Sequence, residues 1–115
     1  VVIVGRGGVS IARDIKDSLH VRLIAPFYWR VNNVMRKKNT GMEEAEKFII
    51  ETDEKRADLI QTFLDKKIKN IDSLFDVTLN RLSFNIDDTA TLITSMYEKK
   101  VHQQIIERLK QRSYY

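Results

Sequence analysis

The segment Gly5-Arg6-Gly7-Gly8 has the residue types to hold an anion. It follows directly on the apolar run Val1-Val2-Ile3-Val4. Residues without a Cβ let the backbone turn sharply and approach a ligand closely. Arg6 among them carries a permanent charge and a planar fork of donors suited to phosphate or carboxylate. The plainer reading is a strand, a glycine turn and an exposed arginine. Arg36-Lys37-Lys38 falls near a predicted helix end, where cations complement the dipole. His20 and His102 have no partner at ligand spacing and read as structural or exposed. Phe27-Tyr28-Trp29 could stack bases, but aromatics at a helix entry are more often core. Asp14, Asp17, Asp76, Asp87 and Asp88 have no spacing that argues for a metal site.

An apolar strand without polar alternation is normally buried on both faces, as in a parallel sheet covered by helices. Ligands of such sheets bind beyond the carboxyl ends of the strands, where Arg6 lies. Leu19–Ala25 reads as a second strand, stopped by Pro26, and Phe75–Asn80 as a third. Between the first two, residues 9–18 suit a short helix or an irregular connection. Phe27–Lys38 reads as a helix with an apolar stripe of Phe27, Trp29, Val31, Val34 and Met35. Asn39-Thr40-Gly41 is a stop and turn. Thr40 is a candidate cap for a long charged helix over 42–67, with Glu43 and Glu44 in its first turn. Its apolar positions, Ala45, Phe48, Ile49, Thr52, Leu59, Ile60 and Phe63, follow a helical period. Ser83 is a candidate cap for a helix over 85–99 with Ile86, Ala90, Ile93 and Met96 or Tyr97 inward. A last amphipathic helix is predicted over 101–112. Strands alternating with helices imply an α/β fold with a three-stranded parallel sheet.

Composition narrows the function classes. At 115 residues the chain is one domain or part of one. No stretch approaches the ~20 apolar residues of a membrane span, and no membrane partner is expected. Val1–Val4 is too short for the apolar core of a secretory signal. The chain has no cysteine, which excludes disulfides and thiolate chemistry and fits a cytoplasmic setting. Its net charge of +4, from 20 basic and 16 acidic residues, favours anionic ligands weakly.

Several segments together resemble a known family. Val-Ile-Val-Gly-Arg-Gly-Gly, His-Val-Arg-Leu-Ile-Ala-Pro-Phe-Tyr-Trp-Arg-Val-Asn-Asn-Val-Met, Glu-Glu-Ala-Glu-Lys, Asp-Glu-Lys-Arg-Ala and Phe-Asp-Val-Thr-Leu-Asn resemble the cytidylate-kinase-like family of P-loop nucleoside monophosphate kinases. The likeness covers roughly residues 1–97, with a lid at about 39–67. Residues 98–115 are expected to form a separate C-terminal amphipathic helix. The resemblance implies part of a three-layer P-loop kinase-like fold with a helical lid. It also implies transfer of phosphoryl from ATP to CMP or a related pyrimidine monophosphate, with Mg2+. Gly5, Arg6, Gly7 and Gly8 match the segment facing the acceptor phosphate. Arg30 matches an arginine near the donor phosphates, and Asp53 and Arg56 match the Asp-x-x-Arg core of the lid. Lys55 stands where the better-known cytidylate kinases carry an acid. Phosphoryl transfer asks mainly for positioning and positive charge, so Arg6, Arg30 and Arg56 are useful only if separate elements bring them together.

One departure is large. The Gly-x-x-x-x-Gly-Lys-Ser/Thr loop of the family does not occur in these residues, and Gly5-Arg6-Gly7-Gly8 is no substitute for it, because it lacks the lysine and the Ser/Thr that holds magnesium. The expectation is therefore the C-terminal part of a kinase-like protein, inactive as this fragment. A sheet with Val1–Val4 at an open edge exposes backbone donors and acceptors, so the isolated chain is expected to form a homodimer or exchange elements. Two alternatives are a kinase-derived nucleotide-sensing or protein-assembly module without catalysis, and a basic nucleic-acid-binding domain, the less favoured.

Overall fold

The computed structural model describes residue 15, residues 17–63 and residues 71–113. In chain order the elements are strand β1 (Val21–Ile24), helix α1 (Phe27–Lys38), helix α2 (Met42–Phe63), a 3-10 turn (Ile71–Leu74), strand β2 (Val77–Asn80) and helix α3 (Ile86–Ser113). The strands pair in parallel, Val21 opposite Val77 and Ile24 opposite Asn80. The fold is α/β, and its sheet has two strands among the described residues. Val1–Val4, expected as a further strand, and the connection over 9–14 lie outside them.

Pro26 ends β1 and opens α1: it has no N–H for the ladder, while its carbonyl accepts from Arg30 N at 3.1 Å. Asn39 closes α1 in the left-handed conformation at φ 52°, one of the few non-glycine residues that tolerates it. The helical period of the sequence becomes the core. Val31 of α1 packs with Ala45 and Ile49 of α2, and Val34 and Met35 flank them. Ala45 is fully buried, and its small side chain lets the two helices approach closely. Lys38 Nζ lies 3.2 Å from the centre of the Phe48 ring and closes the far end of the same interface.

Four expectations change. Thr40 does not cap α2; its hydroxyl makes no hydrogen bond, and Gly41 stands at the cap, its carbonyl accepting from Ala45 N. Asn85, not Ser83, caps α3, with its Oδ1 accepting from Asp88 N at 2.7 Å. A shorter polar side chain two residues earlier is out of reach of that amide. The two helices predicted over 85–99 and 101–112 are one unbroken α3, because nothing between Glu98 and His102 is a glycine or proline. Its inward side also differs. Thr89 is buried at 5% exposure, whereas Ile86 is 71% exposed. Ala90 and Tyr97 are exposed too. No helix among the described residues is long and apolar enough to cross a membrane.

Candidate functional site: an arginine cleft

The ladder extends one step past β2. The Arg81 backbone N–H donates to the Ile24 carbonyl at 2.8 Å, so Arg81 is fixed at the carboxyl ends of both strands. Ligands of parallel sheets bind at such ends, and a cleft of about 260 Å³ opens there. Leu23, Ala25, Val34 and Ile49 supply its apolar surface, and Arg30, Arg56 and Arg81 its charge.

Each arginine arrives on a different element. Arg30 sits in the first turn of α1. It reaches across to α2, where Nη1 and Nη2 donate to the two carboxylate oxygens of Asp53 at 2.9 and 2.5 Å. This fork-to-fork contact is the strongest geometry for such a pair. Arg56 lies three residues beyond Asp53 on α2. Arg81 follows β2, with its guanidinium centre 5.6 Å from the centre of the Trp29 ring. Among the described residues Asp53 neutralises Arg30, while Arg56 and Arg81 form no ion pair. A cleft with this charge excess favours an anion, because partial desolvation strengthens attraction to the fixed charges.

The sequence match can be placed on this geometry. A family model for the cytidylate kinase-like family matches residues 1–83. The chain belongs to the cytidylate kinase-like family. No curated protein and no solved structure matches it. The matched region contains all three arginines of the cleft and both strands, and ends as α3 begins.

As a cytidylate kinase-like protein, the chain brings together two of its sequence-predicted site residues, Arg30 and Arg56, in one cleft. Asp53 joins them through Arg30 rather than through the i,i+3 neighbour Arg56. Gly5, Arg6, Gly7 and Gly8 lie outside the described residues. Trp29 is a wall of the cleft, half-buried, with one face turned to Arg81. The cleft offers forked donors to phosphate oxygens, which fits ATP. Among the described residues no three His, Asp or Glu side chains gather to hold a metal ion, so Mg2+ would be carried here on the nucleotide phosphates.

The other candidates lie elsewhere. Arg36, Lys37 and Lys38 occupy the last turn of α1. His102 is exposed on α3. His20 precedes β1, at the opposite end of the strands from the cleft. Its Nε2 lies 3.1 Å from Ser18 Oγ, but that hydroxyl donates to the Ile15 carbonyl at 2.6 Å. A hydroxyl has one proton to give, so the ring donates toward Ser18 and this is no nucleophile and base. Asp76 accepts there from His20 N at 2.7 Å and from Lys100 Nζ at 3.0 Å. Burial alone would raise the Asp76 carboxyl, but these two hydrogen bonds and the Lys100 charge outweigh it and hold it below its ordinary value of 3.8. Asp17 pairs with Arg108, and Asp87 and Asp88 stand in the first turn of α3. Sequence reasoning missed Arg81, although a cation one residue past a parallel strand is the signal that would have found it.

Proposed function

We propose that the chain contributes the donor-phosphate cleft and lid of a nucleoside monophosphate kinase-like phosphotransferase. The activity is phosphoryl transfer from ATP to CMP or a related pyrimidine monophosphate. An oxygen of the acceptor phosphate attacks the γ-phosphorus of ATP, the bond to the β–γ bridging oxygen breaks, and ADP leaves as the acceptor becomes a diphosphate. One observation carries this reading: Arg30 and Arg56, on separate helices, converge on a cleft at the carboxyl ends of parallel strands. Positive charge brought in from separate elements is what the transferred group needs. In the same reading α2 is the lid helix, Val1–Val4 adds a strand to the sheet of a three-layer kinase-like fold, and Arg6 with Gly5, Gly7 and Gly8 takes the acceptor phosphate. Transfer itself calls for a phosphate-cradling loop and Mg2+ acting together with this cleft.

Calorimetric titration of the 115-residue chain with ATP tests the proposal. ATP should bind, and Arg30→Ala and Arg56→Ala should each weaken it at least tenfold, the loss expected for a charge-assisted contact. Absence of ATP binding, or binding indifferent to both substitutions, overturns it.

A further inference from the structure

We infer that Arg81 is a third phosphate-contacting arginine of the cleft, held ready by Trp29 and the Phe84 carbonyl. It rests on the nucleotide reading of the cleft and adds to it a residue just beyond the Phe75–Asn80 segment on which the resemblance was read.

Three constraints fix the side chain. The Arg81 backbone is pinned to Ile24 at the end of β1. Its Nη1 donates to the Phe84 carbonyl at 2.7 Å. Its guanidinium lies over the Trp29 ring at 5.6 Å. The ring occupies a face and the carbonyl one donor, so the remaining in-plane donors are left for a ligand. A guanidinium fixed in this way loses little freedom on binding an oxyanion.

Its uncompensated charge, which it shares with Arg56, separates it from the ion-paired arginines among the described residues. Arg22 also lies over an aromatic ring, that of Phe75 at 5.3 Å, but Asp72 neutralises it. Arg30 is neutralised by Asp53 and Arg108 by Asp17. Among the described residues the partners of the Arg81 side chain, a carbonyl and an indole, are both uncharged. A cation fixed and left uncompensated on a cleft wall is poised for an anion. Arg56 and Arg30 line the same cleft, so a polyphosphate could span the three.

The chain has a single tryptophan, so Trp29 fluorescence reports directly on this wall. The 115-residue chain would be titrated with sodium tripolyphosphate, ATP and adenosine, with calorimetry in parallel and circular dichroism to verify folding. Tripolyphosphate should change Trp29 emission, and Arg81→Ala should weaken its binding at least tenfold. Any affinity for adenosine should stay within twofold, which a collapsed wall would not allow. Arg81→Lys keeps the charge but not the fork and should restore only part of the loss. Arg81→Gln keeps a donor for the Phe84 carbonyl and replaces the alanine variant if that one is not folded. Tripolyphosphate binding that survives loss of Arg81 within twofold yet falls with Arg30→Ala overturns the Arg81 role alone. Wild-type chain that binds neither tripolyphosphate nor ATP overturns the nucleotide reading and this inference with it.

Discussion

Arg30 and Asp53 stand 23 residues apart and form a two-point ion pair that ties α1 to α2. The carboxylate occupies the fork that a phosphate would take. An incoming phosphate must therefore displace Asp53 or share Arg30 with it. The pair is partly solvated, with side chains 29% and 40% exposed, so it stabilises the fold by about 1 kcal/mol or less. Asp53→Asn is expected to melt slightly below the wild type. It is also expected to bind tripolyphosphate about fivefold tighter, the equivalent of that energy. Calorimetry of the two proteins side by side checks both, and weaker binding by the variant would show that Asp53 does not compete for Arg30.

Ala45 sets the distance between the same two helices. It is fully buried against Val31 and Ile49. A larger side chain there must push α1 from α2. Ala45→Leu should destabilise by about 1–3 kcal/mol, the usual cost of overpacking. In urea its midpoint should fall with the slope unchanged.

The elements that can be read from local pattern were legible in the sequence. The spacing of Val31, Val34 and Met35 and of Ala45, Ile49 and Ile60 marks the helices and their buried faces, because a 3.6-residue period has one meaning. Pro26 and Asn39 mark the ends of α1 for equally local reasons. What escaped depends on distance. Asp53 has an arginine three residues away on its own helix, and nothing local says that it prefers Arg30 on another. Thr40 and Ser83 are good caps by type, yet the chain enters α2 and α3 at Gly41 and Asn85, which only the packed structure decides. Arg81 carries no motif; it matters because the strands pair in parallel and end beside it.

Asn85 starts the longest helix. Its side chain satisfies the Asp88 amide, and its backbone carbonyl accepts from the buried Thr89 hydroxyl at 2.7 Å. Asn85→Ala should cost about 1 kcal/mol, whereas Asn85→Ser should keep most of the cap. Thermal unfolding followed by helical circular dichroism separates the two. Equal melting of the alanine and serine variants would count against a capping role.

Asp76 gives the fold an acid-sensitive joint. It joins the start of β1, through His20 N, to α3, through Lys100. Burial works against its charge, but the His20 and Lys100 contacts win and lower its pKa below 3.8. A carboxyl whose pKa is lower folded than unfolded stabilises the protein above its unfolded value. That contribution is lost as pH falls through the folded value, so the sensitive window lies below about pH 4. Asp76→Asn should accordingly be less stable than the wild type at neutral pH, and the gap should close as the pH drops through that window. Lys100→Met removes one hydrogen bond and the nearest compensating charge without touching the carboxyl, so it should reduce the acid sensitivity but not abolish it, because the His20 N–H bond remains. Urea midpoints for the three proteins between pH 7 and pH 3 test this, and a gap that stays constant across the range would mean that the Asp76 contacts do not favour its charged form.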